Sequence, residues 1–76
     1  MTLVQDIHYL KRLPIDKVKI DKSFVSDIGI DLKSEFIIEK VIELAHMLNL
    51  EVVAEGVETK NQLHYLEKIG CDIIQG

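Results

Sequence analysis

Residues 52–75 read VVAEGVETKNQLHYLEKIGCDIIQ, and this stretch decides the fold. Val52 to Ala54 form a short apolar run of the kind found in a buried strand. Thr59 and Gln62 then make a T-x-x-Q capping box, in which each residue satisfies a backbone N–H left open by the first turn of a helix. Leu63, Leu66 and Ile69 recur at three-residue steps and give that helix one apolar side. Gly70 stands where a left-handed C-terminal cap is wanted. CDIIQ (71–75) forms the last strand. A strand, a helix and a second strand in this order call for a crossover connection, and so for parallel pairing.

The alternation continues upstream. DKVKID (16–21) sets Val18 and Ile20 on one side and Lys17, Lys19 and Asp21 on the other, which predicts a strand with one apolar face. SFVSDI (23–28) suits a short helical turn. Asp31 is placed to cap a helix reaching about Asn49. Its main apolar stripe reads as Ile37, Val41, Leu44, Ala45 and Leu48, widened by Ile38 and Ile42, so both a sheet and a neighbouring helix are expected against it. Before the first strand, Leu3, Ile7, Leu10 and Leu13 mark one helical face, and Pro14 ends that helix. The predicted fold class is α/β, a parallel βαβαβ slice preceded by a helix. No strand feeds the first helix and no helix follows Gly76, which leads us to expect a slice of a larger fold. Its open sheet edges invite self-association.

Composition narrows the function classes. The chain has 76 residues, room for one small domain, and nine basic against thirteen acidic residues give a formal net charge of -4. That balance argues against general nucleic-acid binding, whose affinity comes from neutralising phosphates. Lys17, Lys19 and Lys22 alternate with Asp16 and Asp21 and make no basic stripe. No apolar run is long enough to span a bilayer, and no membrane segment is expected. Cys71 is the one cysteine, which excludes an internal disulfide and a cysteine-rich zinc site and suits a cytoplasmic protein. Cys71 reads as a small buried filler, and Tyr9 and Tyr65 as packing residues. His8, His46 and His64 lack partners at metal-ligand spacing and read as ordinary helix histidines. The charges from Asp31 to Glu43 read as a solvated helix face.

In parallel α/β folds, ligands collect at the C-terminal ends of the strands. The residues placed there are Lys19 and Asp21 on the first strand, Glu55 and Glu58 on the second, and Gln75 on the third. Neighbouring strands lie about 4.8 Å apart, so aligned ends would let Lys19, Glu55 and Gln75 approach one another. An amine, a carboxylate and an amide at one mouth can orient a water. Charges at strand ends are also commonly just solvated, and spacing alone leaves both readings open.

At these same residues the sequence resembles a known family. YLKRLPIDKVKIDKSFV (9–25), VVAEGVET (52–59) and GCDIIQG (70–76) are similar to the C-terminal third of EAL domains, the phosphodiesterases that hydrolyse cyclic-di-GMP. The resemblance implies the last three strands of a modified TIM-type barrel. It also implies metal-assisted cleavage to linear pGpG, in which Mg or Mn binds the scissile phosphate and activates a water. Lys19 matches the lysine that positions the attacking water, and Asp21 the aspartate near the metal centre. Glu55 matches the general base, while Glu58 and Gln75 match residues that line the site.

The departures set a limit. The Glu-Ala-Leu motif, the asparagine and glutamate ligands of the intervening strands, and the aspartate pair of D-D-F-G have no counterpart here. MTLVQ stands where a glycine-threonine-glycine-tyrosine stretch is expected, and only Thr2 agrees. Residues 1–76 are therefore expected to be a partial EAL-like domain that lacks the N-terminal strands and binds no metal stably, because hard cations want several oxygen ligands. The expected function is that of the C-terminal part of a cyclic-di-GMP phosphodiesterase, inactive alone. The alternative is a non-catalytic EAL-like module that binds cyclic-di-GMP or a protein partner.

Overall fold

A computed structural model of the chain describes residues 16–76, so the helix expected over Leu3 to Leu13, with His8, Tyr9 and Pro14, lies outside the described residues. The sheet centres on β2 (Glu51–Ala54), which pairs in parallel with β1 (Lys17–Ile20) on one side and β3 (Ile73–Ile74) on the other. The strand order is sequential, β1-β2-β3. Lys19 lies opposite Val53, and Ile20 opposite Ala54, which in turn faces Ile74. Because strand side chains alternate, Ile20, Ala54 and Ile74 share one face, and Lys19, Val53 and Ile73 the other. Val52, Val53 and Ala54 are all buried, which is why β2 reads as an unbroken apolar run.

Three helices complete the described chain: α1 (Lys22–Val25), α2 (Leu32–Met47) and α3 (Lys60–Lys68). Asp31 caps α2, its carboxylate accepting the Lys33 N–H at 2.9 Å. The capping box at α3 forms as its spacing predicts. Thr59 Oγ1 accepts the Gln62 N–H at 3.1 Å, and Gln62 Oε1 accepts the Thr59 N–H at 3.2 Å. Both long helices end in the same way. Gly70 takes φ +91° and Asn49 φ +61°. Cys71 N–H reaches back to the Leu66 carbonyl and Leu50 N–H to that of Ala45, the six-residue closure that satisfies late helical carbonyls. This closure keeps Cys71 out of the ladder, so β3 is shorter than the strand expected over 71–75.

The apolar face of α2 differs from the expectation. Ile38, Ile42 and Ala45 are buried, with Ile38 only 1% exposed, whereas Ile37, Leu44 and Leu48 from the expected main stripe lie outward, Leu44 at 58%. Ala45 belongs to the expected main stripe and Ile38 and Ile42 to its expected widening, so the buried face lies within the expected apolar surface but is centred toward its Ile38–Ile42 edge. A helix this apolar has two candidate faces, and the choice falls to the shape of its partners. Ile38, Ile42 and Ala45 join Ile20, Val25, Ile28, Val52, Ala54 and Leu66 in a single core, all on the helix side of the sheet. Ile37 and Val41 instead border a groove of about 220 Å³ beside Ile20 and Phe24.

Packing residues were legible by type. Tyr65 packs against the core and donates its hydroxyl to Glu39 at 3.0 Å, and burial pushes its phenol well above the usual range. Cys71 is half-buried, and desolvation raises its thiol, as suits a filler. Along the outer side of α2, Lys40 pairs with Glu43 at 2.9 Å, and the exposed Glu43 partner raises its amine.

His46 carries a role that its spacing did not reveal. Its Nε2 donates to Asp72 Oδ2 at 2.7 Å, and the same oxygen accepts the Val52 N–H at 2.8 Å. One carboxylate thus joins the end of α2 to β2 at the start of β3. The His46 bond first, and the Val52 N–H second, hold the Asp72 carboxyl below its ordinary value of 3.8. A depressed carboxyl adds stability that is complete above its unfolded pKa and is lost as pH falls through the native value. Urea midpoints should therefore drop below about pH 4, and Asp72→Asn should flatten that drop. An unchanged acid limb in Asp72→Asn would count against this clasp.

Candidate functional site

The polar residues gather where the strands point their C-terminal ends. Lys19 Nζ lies 3.6 Å from Glu55 Oε1 at the mouth shared by β1 and β2. The register explains the meeting, since Lys19 sits opposite Val53 and Glu55 is two residues beyond Val53 on the same face. The side chains are 70% and 39% exposed, so the pair adds little to stability. It does present an amine and a carboxylate together at an open mouth, where both can hold one water.

The loop that carries Glu55 and Glu58 is fixed through its backbone. Glu55 N–H donates to the Ile20 carbonyl at 3.1 Å, and Val57 N–H to the Gln75 carbonyl at 3.0 Å. Glu58 N–H donates to Gln62 Oε1 at 2.7 Å. The buried Gln62 amide therefore serves two ends, capping α3 and anchoring Glu58. Sequence reading gave Gln62 only the first of these tasks, although the T-x-x-Q spacing was the available signal. Gln75 is tied in by its main chain, donating to Ala54 at 2.9 Å as well as accepting from Val57.

Asp21 has a local task. Its Oδ2 accepts the Ser23 hydroxyl at 2.7 Å and the Ser23 N–H at 3.0 Å, capping α1. Those two bonds hold the exposed carboxyl below the usual range. The N-cap rule that identified Asp31 applies equally to Asp21, and D-x-S was its signal. Asp21, Glu55 and Glu58 do not converge on one point. Among the described residues, no group of three or more His, Cys, Asp or Glu is placed to hold a metal ion. The donor set described here thus does not fit a divalent ion by itself.

Sequential parallel strands, helices packed on one face and polar groups at the strand mouths make this a parallel α/β protein. The chain belongs to the EAL domain family, whose model matches residues 2–76. It is 46% identical over 68 residues to the cyclic di-GMP phosphodiesterase NbdA of Pseudomonas aeruginosa, a match covering 90% of this chain and 9% of that protein. Its fold is similar to the PaMucR phosphodiesterase in a c-di-GMP complex, with TM-score 0.87 and 41% identity over 92% of this chain and 28% of that one. It is also similar to Klebsiella pneumoniae BlrP1 in a manganese/cy-diGMP complex, with TM-score 0.81 and 36% identity over 91% of this chain and 18% of that one. The chain spans about a tenth of the length of the curated relatives it first matches. Among the described residues, no helix is long and apolar enough to cross a membrane.

Proposed function

We propose that the chain supplies the water-handling half of a cyclic-di-GMP phosphodiesterase site. The observation that carries this reading is the meeting of Lys19 and Glu55 at 3.6 Å at a strand mouth, in a member of the EAL family. In the proposed reaction Glu55 accepts the proton of a water that the Lys19 amine helps to orient. The water oxygen forms a bond to phosphorus, and one P–O bond of the cyclic diester breaks. The leaving oxygen takes up a proton, and linear pGpG results. Glu58 and Gln75 line the site, and Asp21 borders it. A divalent ion, Mg or Mn, supplies neutralisation of the phosphate when bound. Its ligands are to come mainly from parts of an EAL domain that this chain does not span, because the residues described here do not suffice. Residues 1–76 are in this reading the last three strands of such a domain, working in the cytoplasm.

The test is a paired assay. The purified 76-residue chain with Mg or Mn should give no measurable turnover of cyclic-di-GMP to pGpG. The same chain joined to the N-terminal portion of a family domain should restore turnover. Hydrolysis by the isolated chain, or its absence from the completed domain, would sink the reading. Among the described residues, β1 and β3 each pair on one side only, and we propose self-association through those edges for the isolated chain. Light scattering that finds only monomer at high concentration would remove that proposal.

A further inference from the structure

Gly56 is the residue between Glu55 and the rest of its loop, and the turn after β1 leans directly on it. Its φ is +73°, a conformation that side-chain-bearing residues rarely adopt. A Cβ built there would stand 2.5 Å from the Lys22 Cβ and 3.4 Å from the Lys22 Cα. The first distance is far inside van der Waals contact, and the obstacle is the root of the side chain, which cannot swing aside.

We propose that Gly56 is a positioning residue for the Lys19–Glu55 pair. Lys22 directly follows Asp21 and opens α1, so it is fixed to the end of β1 by the Asp21 cap. On the opposite flank, the Val57 N–H is held by the Gln75 carbonyl. The loop is thereby clamped between the ends of β1 and β3, and the missing side chain at position 56 sets how closely it approaches β1. A side chain there would push the loop away from Lys22 and carry Glu55 away from Lys19. The inference concerns the geometry of the pair; only its catalytic meaning rests on the function proposed above.

The test uses the 76-residue chain and a water-soluble carbodiimide, which joins an amine to a carboxylate in direct contact without a spacer. Peptide mass spectrometry would quantify the Lys19–Glu55 amide against the Lys40–Glu43 amide, an internal reference on α2 at 2.9 Å. All variants are read at a temperature where helical circular dichroism is retained. Gly56→Ala should lower the ratio about tenfold, because the added Cβ would meet the Lys22 Cβ at 2.5 Å and the loop must move off it. Lys22→Gly alone should leave it unchanged. The double variant Lys22→Gly/Gly56→Ala removes the obstructing Cβ and should recover most of the lost link.

An unchanged ratio in Gly56→Ala overturns the inference, as does a double variant that recovers nothing. If Gly56→Ala fails to fold, the double variant decides by its cross-link, read at a temperature low enough to keep it folded: a restored link supports the contact, and a folded chain without the link overturns it. The cross-link needs no turnover, so a chain that links as expected but never hydrolyses cyclic-di-GMP would defeat the functional reading and leave this one standing.

Discussion

Glu55→Gln, made in an EAL domain completed around this chain, should lower the turnover number for cyclic-di-GMP by about 10²- to 10⁴-fold, the range associated with loss of a positioned general base. The substitution keeps the side chain's length and replaces only its capacity to take a proton. Glu55 is anchored by its own N–H to the Ile20 carbonyl, so the loop should hold its place and KM should change little. Lys19→Met removes the amine 3.6 Å away and should also depress turnover, by less, because in the proposed reaction it orients the water without accepting its proton. The check is steady-state kinetics of both variants with pGpG as the measured product. Turnover within tenfold of the parent in Glu55→Gln would assign the base elsewhere and reduce Glu55 to a solvated strand-end charge.

Leu66→Ala should cost about 2–5 kcal/mol, the usual range for a fully enclosed leucine. Leu66 is completely buried on α3 and belongs to the single core that joins the helices to the sheet. At roughly 0.05–0.15 kcal/mol per residue a chain of this size has on the order of 4–11 kcal/mol to lose, so the variant gives up a large share of its stability and its urea midpoint should fall sharply. Leu44→Ala provides the contrast. Leu44 lies outward on α2, and its removal should cost less than about 1 kcal/mol. Urea midpoints of the two variants test the assignment of the α2 face directly. Similar losses at both positions would mean that Leu44 is covered and that the orientation of α2 described here is wrong.

The candidate site was legible only in its members. Lys19, Glu55, Glu58 and Gln75 were placed at strand ends by alternation, and the register then brought Lys19 and Glu55 within 3.6 Å. Asp21 stands out in the sequence as a strand-end charge, whereas its cap on α1 depends on Ser23 two residues further on. Of the bonds that hold the loop in place, Val57 to Gln75 joins two main-chain groups whose pairing follows from how far each strand extends, so side-chain pattern does not signal it. Glu58 to Gln62 is local and uses the Gln62 side chain, so the T-x-x-Q spacing does signal it. His46 and Asp72 lie 26 residues apart and meet only because α2 ends where β3 begins.

Local chemistry in the sequence determined the succession of strands and helices, the caps at Asp31 and Thr59, and the left-handed stop at Gly70. Each of these depends on residues within a few positions of one another, so neighbouring side chains suffice to specify it. Tertiary structure alone decided which side of α2 meets the sheet, which carboxylate His46 finds, and how tightly Gly56 seats against Lys22. Those outcomes depend on the shape of surfaces brought together from distant parts of the chain. Periodicity reports that a face is apolar; only packing decides which of two adjacent apolar faces a sheet will cover.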